Sequence, residues 1–181
     1  MTLEPLSFAD VEQVRLWRNE TVVSLRTPFP LTEEMQAEFY QAELSDRRSP
    51  HRYWAVRNQA LIGMAGLTDI QWENGLAEIS LLLGPAWRRG GRGTAAVALV
   101  LEEAFSTLRL ETVFGEVYQC NPAVGFWLAV AKRYGGWVTT LPRRKFWDGR
   151  LWNSIYFSIG REQWLAAKGD DETDADGLSA A

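Results

Sequence analysis

Cysteine and histidine are almost missing: Cys120 and His51 are the only residues of their kinds in 181. A lone thiol excludes an intrachain disulfide, and with it the secreted, bridged type of scaffold. Cys120 reads as a small buried hydrophobe near a strand end. One His and one Cys do not make a His/Cys metal site, and no carboxylate spacing replaces them, so no metal is expected. No apolar run approaches the roughly 20 residues of a membrane span. The N-terminus also lacks a basic segment followed by an apolar core. The chain is therefore expected to be soluble and cytoplasmic, with no membrane partner.

An excess of positive charge is lacking too. The formal net charge is −4, and the segment from Ala166 to Ala181 sets Lys168 against Asp170, Asp171, Glu172, Asp174 and Asp176, leaving the body neutral. Such totals give no support for nucleic-acid binding, and the run Arg143-Arg144-Lys145 reads as a solvated turn. No lysine lies between Met1 and Thr94. A phosphate loop of the Gly-x-x-x-x-Gly-Lys-Ser/Thr type is therefore unavailable there.

What is present is a hydrophobic content of 46% and nine tryptophans, enough for one sizeable core. The chain is organised around Ala77 to Thr94, where an apolar strand meets Gly84-Pro85-Ala86-Trp87-Arg88-Arg89-Gly90-Gly91-Arg92-Gly93-Thr94 and then a long apolar-faced helix. Gly90, Gly91 and Gly93 permit positive φ and leave the backbone bare, so that N–H groups can converge on an anion at a helix start. Arg88, Arg89 and Arg92 add paired, permanently charged donors. The stretch reads as a pyrophosphate cradle. Gly91-x-Gly93-x-x-Ala96, with Glu111 downstream, also matches a dinucleotide fingerprint, which leaves an oxidoreductase as an alternative.

The rest of the chain supplies the setting. Thr2 to Leu6 reads as a strand, and Ser7 caps a helix leading into Trp17-Arg18-Asn19. Prolines interrupt regular structure from Thr21 to Pro30, and a second helix runs from Thr32 to about Leu44. Tyr53–Arg57 and Leu61–Ile70 form a hairpin, and Glu73-Asn74-Gly75 turns the chain into the central strand. Thr94 to Leu108 is a helix whose apolar stripe belongs to the core. Thr112–Tyr118 is the next strand, followed by Asn121-Pro122 and a helix that ends at Gly135-Gly136. Gly136–Leu141 and Leu151–Ile159 are the last strands, with Pro142–Trp147 arching between them and Asp148-Gly149 as turn signal. Trp72 and Trp147 fall near turns that can line a pocket. From 165 to 181 the composition predicts an acidic, disordered tail after a domain spanning 1–164.

Arg88-Arg89-Gly90-Gly91-Arg92-Gly93 resembles the loop Arg/Gln-x-x-Gly-x-Gly/Ala in motif A of the GNAT superfamily, the acetyl-CoA-dependent N-acetyltransferases. With Trp17-Arg18-Asn19 and Asn121, the resemblance extends from about Leu3 to Ile159. It implies an α/β (α+β) fold: a mixed, mostly antiparallel sheet of six to seven strands, flanked by about four helices, with splayed central strands. It also implies acetyl-CoA as cosubstrate, held by the backbone of Leu81, Leu82 and Leu83, by Arg88 to Thr94 and by Asn121. The acceptor implied is a small-molecule amine, an amino sugar or a protein N-terminus, near Arg18, Asn19, Arg26 and Trp72. The Trp-Arg-Asn opening is similar to that of ribosomal-protein N-terminal and nucleotide-amino-sugar acetyltransferases. Monomer and homodimer are both compatible with it.

Direct transfer needs a base and an acid. Glu78, on the central strand, is the candidate base. The superfamily's usual tyrosine acid is replaced by Leu128, so Tyr134 and Tyr118 are the candidates for the acid. The missing tyrosine also leaves a non-catalytic acyl-CoA-binding module as an alternative.

Overall fold

The computed structural model describes residues 1–26 and 29–177. Seven strands form one sheet in the order β1-β2-β3-β4-β5-β7-β6. They are β1 (Thr2–Glu4), β2 (Arg52–Asn58), β3 (Ala60–Gln71), β4 (Leu76–Leu83), β5 (Thr112–Tyr118), β6 (Trp137–Trp147) and β7 (Arg150–Gly160). The helices are α1 (Phe8–Asn19), α2 (Glu33–Phe39), α3 (Arg92–Glu102), α4 (Val124–Arg133) and α5 (Arg161–Gly177). Every strand pairing is antiparallel except β4 with β5. A dinucleotide fold needs a parallel sheet, so the oxidoreductase alternative is set aside.

Local chemistry accounts for the boundaries. Ser7 caps α1 by accepting from the Asp10 amide at 3.2 Å, while the Asp10 carboxylate accepts from the Ser7 amide at 2.9 Å. Gly75 turns into β4 with φ of 64°, and Gly135 ends α4 with φ of 61°. Adjacent residues on β2 face opposite ways: Val56 joins the main core and Ala55 a smaller cluster with Leu6 and Val11 under α1. The main core is built by Val97, Val100 and Leu101 of α3, with Ala104 and Phe105 of the turn that continues it, all essentially fully buried.

One expectation is corrected here. Pro142–Trp147 is not an arch but the second half of β6, reached through a bulge between Leu141 and Lys145 with Arg143 at φ of 56°. Proline is tolerated because β6 is the outer strand of the sheet. Beyond β7, α5 carries the chain on to Gly177 from a first turn anchored by Trp164 on Phe105, ring centroids 5.3 Å apart. Ala167 packs on the core and Lys168 reaches Glu102 at 2.7 Å. Residues 178–181 of the expected tail lie outside the described residues.

The feature that positions the site is a parting of strands. β4 and β5 pair only from Leu76↔Thr112 to Glu78↔Phe114. From there Ile79–Leu83 stays on β3 and Gly115–Tyr118 stays on β7. The sheet opens into a wedge.

Candidate active site

The wedge is the mouth of a cleft of about 660 Å³, a common size for a small-molecule site. Its walls come from Glu78–Leu82 of β4 and Gly115–Val117 of β5, with Trp127 of α4 and Phe157 of β7 behind them. Arg18 of α1, Phe39 of α2 and the segment Ser24–Arg26 close the other side.

On one flank, Leu81 and Leu82 line the cleft with their β5-facing backbone edge unpaired, a template for an extended, amide-bearing chain. Beyond Leu83, the Arg88 side chain donates to the Leu83 carbonyl at 2.9 Å and fixes the strand end to the loop. Gly90 and Gly91 hold φ of 66° and 74°, and Gly91 is the N-cap of α3 with no side-chain cap. The first-turn amides of Arg92, Gly93 and Thr94 are thus left for an outside acceptor. Gly93 is needed for a different reason from the one expected: its φ is ordinary, and an added Cβ would meet the Phe126 ring at 3.0 Å. Arg92 lies 5.5 Å over the Trp87 ring and donates to the Arg89 carbonyl at 3.1 Å; Arg89 itself is exposed. A second recess of about 260 Å³ opens beside Thr94, lined by Phe126, Ala129, Val130 and Arg133.

On the other flank a chain of charges crosses the cleft. Arg144 donates to Glu116 at 3.0 Å, Arg26 lies 3.8 Å from the other oxygen of Glu116, and Arg26 also bonds Glu78 directly. Both carboxylates are buried while the Arg26 side chain is 55% exposed. Burial pushes Glu78 above the usual carboxylate range; Arg26 pulls it back only in part, and Asp69 and Glu116 add to the rise. Glu116 goes the other way: burial raises it, but Arg144, Ser154 and Arg26 together outweigh this and leave it below its ordinary value. Two carboxylates in one cleft are thus pushed apart, the arrangement that suits one to exchange protons.

The remaining sequence candidates divide. Arg18 lines the cleft near Tyr53; burial lowers the Arg18 guanidinium and pushes the Tyr53 phenol up to about 12. Asn121 lines it as well, accepting from the Ala123 amide at 2.8 Å and donating to the Ser24 carbonyl at 3.4 Å. Asn19 does not line it: its amide brackets the Leu31 backbone, donating at 2.9 Å and accepting at 2.8 Å, and so ties the end of α1 to Leu31. Trp72 is exposed beneath Arg52, 5.8 Å away, and is not among the cleft's lining residues. Tyr134 is buried in the core at the C-terminal end of α4, also outside the cleft lining. Tyr118, likewise outside the lining, ends β5 next to Arg26 and under the Lys145 ammonium, 4.9 Å from its ring; burial raises its phenol.

Several site residues have no counterpart in the sequence reading. Glu116 sits on a strand face where its role depends on Arg26 and Arg144, distant in the chain. Asp69 is placed by a bulge in β3 between Thr68 and Gln71, at φ of 50°, with its amide donating to His51 Nδ1 at 2.9 Å. An aspartate inside an apolar strand run was the available signal.

A splayed β4–β5 pair with a bare-backbone loop at the next helix start defines a class of acyl-transfer domain. The match to a family model confirms it: the chain belongs to the GNAT acetyltransferase domain family, matched over residues 1–137, and is an acetyl-CoA-dependent N-acetyltransferase. Among similar solved structures is spermidine N-acetyltransferase from Vibrio cholerae in complex with CoA and spermine, at TM-score 0.80 and 20% identity, covering 91% of this chain and 97% of that one. A chimera of Vibrio cholerae SpeG and hSSAT, also titled a spermidine N-acetyltransferase, superposes at TM-score 0.79 and 20% identity, with 91% and 97% covered. A structure titled only as a putative acetyltransferase gives TM-score 0.70 at 22% identity, covering 92% and 86%. None of the curated proteins matches in sequence.

Proposed function

We propose that this chain acetylates the primary amine of a small alkylamine, with Glu78 as the base. The observation that carries this reading is the position of Glu78 at the last β4–β5 pair, where the strand turns from sheet partner to cleft wall. The pantetheine arm lies along the free edge of Leu81–Leu83, and the pyrophosphate takes the amides of Arg92 to Thr94. The recess beside Thr94 supplies an apolar seat with the Arg133 side chain for the nucleotide end.

In this mechanism the acceptor enters as an ammonium and gives one proton to the Glu78 carboxylate, which burial has made more basic than usual. The neutral nitrogen attacks the thioester carbonyl, and the tetrahedral adduct collapses by C–S cleavage. The second nitrogen proton goes to the leaving sulfur. A free thiol ionises near 8.5, so the thiolate leaves with little assistance, and Tyr118 serves as the nearby phenol donor rather than an essential one. Amine-acetylating neighbours, titled for spermidine and in complex with spermine, support a small cationic acceptor. A turnover screen with acetyl-CoA across polyamines, amino sugars, aminoglycosides and short peptides tests the reading. Acetylation of small alkylamines is expected; turnover restricted to peptides would overturn it.

A further inference from the structure

Building on that reading of Glu78, we propose that Arg26 is a displaceable stand-in for the acceptor: the entering ammonium takes its place on Glu78, and the guanidinium swings to Glu116. Four observations carry this. Glu78 is buried with Arg26 as its ion-pair partner, and a buried carboxylate stripped of its cation is costly, so a second cation that arrives with a proton to give is favoured at that position. Of the three groups, Arg26 is the one with room to move, its side chain 55% exposed against 10% and 9% for the two carboxylates.

The destination also exists already. Glu116 Oε1 accepts from Ser154 at 2.5 Å and from Arg144 at 3.0 Å, while its Oε2 accepts from Arg144 only at 3.5 Å and lies 3.8 Å from Arg26, close enough to become a full bond after a small side-chain rotation. Finally, the backbone before Arg26 is fastened. Lys145 donates to the Val23 and Leu25 carbonyls, so the exchange is a movement of the side chain alone. The charges facing Glu78 from the packed elements are Arg26, Asp69 and Glu116, and Tyr53 and Tyr156 are the neutral phenols near it.

The exchange fixes the class of acceptor. A protonated alkylamine can replace a guanidinium; an arylamine, neutral at the same pH, cannot. The pair thus acts as a charge filter ahead of the chemistry, and the leaving guanidinium stays beside a carboxylate during entry.

The test uses methylguanidinium, the chemical fragment Arg26 presents, and an Arg26→Met variant of the full chain. Calorimetry should show methylguanidinium binding to Arg26→Met at least tenfold tighter than to the wild type, and binding lost again when Glu78→Gln is added. In turnover, n-propylamine should show a KM at least fivefold lower in Arg26→Met, with methylguanidinium competitive against the amine and not against acetyl-CoA. Arg26→Lys, which keeps a cation on Glu78, should bind methylguanidinium less tightly than Arg26→Met does, and melting curves establish that all variants are folded. Equal methylguanidinium affinity in folded wild type and variant, or a raised amine KM in Arg26→Met, would overturn the exchange. Tight methylguanidinium binding without any amine turnover would support the exchange and overturn the proposed function, so the two failures are distinct.

Discussion

Lys145 holds the backbone of a segment far from it in the chain: its ammonium donates to the Val23 carbonyl at 2.7 Å and to the Leu25 carbonyl, with the Trp147 ring face 5.3 Å away. A buried lysine is tolerated because its donors are met, and the carbonyls it meets are those that lead into Arg26. Lys145→Met should therefore leave two carbonyls unmet, costing about 1–3 kcal/mol of stability. Denaturant unfolding checks the cost. Steady-state kinetics should show the acceptor KM changed while acetyl-CoA affinity stays.

Glu78→Gln should lower turnover by roughly 10² at neutral pH without changing acetyl-CoA affinity. In the wild type, kcat/KM for the acceptor should fall as pH drops through a value above the ordinary carboxylate range, and the variant should lack that limb. The stability sign is separate. A folded-state pKa above 4.5 means the native protein binds the proton longer, so the wild type loses stability as pH rises from 4.5 through the folded value. The glutamine variant escapes that loss and should melt no lower near pH 7. A variant that melts early would assign the activity loss to the fold.

Gly91→Ala strikes the cradle without touching the core. An added Cβ meets nothing within 4 Å, so the cost is the left-handed backbone alone, about 1 kcal/mol. Because a shifted N-cap misaligns the first-turn amides, acetyl-CoA affinity measured by calorimetry should fall tenfold or more. Gly93→Val adds a clash with Phe126 and should lose both binding and stability.

Asp10→Asn should destabilise by about 1–2 kcal/mol at neutral pH, because the carboxylate closes the α1 cap and pairs with Arg57 at 2.8 Å. Burial opposes ionisation of Asp10, but the Ser7 bonds and Arg57 outweigh it and lower its pKa below 3.8. A lowered folded pKa contributes stability above the unfolded value that is lost as pH falls through the folded one. Melting curves of the two proteins should thus differ at pH 7 and converge in acid.

Truncation separates the parts of α5. Ending the chain after Gly169 should leave the melting temperature nearly unchanged, since the Trp164, Ala167 and Lys168 contacts survive. Ending it after Trp164 should lower it by several degrees, through loss of Ala167 packing and of the Lys168 pair with Glu102.

Much of the architecture was legible because it is written in local signals. The β5 boundaries, the Gly75 turn and the α3 stripe follow from strand alternation, positive-φ glycine and helical spacing. Pro142 and the basic run after it misled, since proline and charge look alike in a loop and on an outer strand with a bulge. Half of the site was legible as well, because the donor flank is contiguous in sequence from Leu81 to Thr94. The acceptor flank was legible only in part: Glu78, Arg18 and Arg26 were candidates, whereas Glu116 and Arg144 were not. Glu78, Arg26, Glu116 and Arg144 acquire their protonation preferences only from one another, across segments whose approach no spacing encodes.

The parting of β4 from β5 at Glu78 has a bearing on colloidal behaviour. Unpaired strand edges invite pairing with other chains, and proteins usually blunt them with prolines, bulges and charges, as β6 does at its rim with Pro142 and the bulge beside it. The open edge of Leu81 and Leu82 is instead an interior one, roofed by Trp127 and by the segment that Lys145 ties down. A slender amide-bearing ligand can reach it, whereas a second protein's strand with its flanking side chains is kept out. The unpaired side of this backbone can therefore stay ready for a ligand without becoming a nucleus for aggregation.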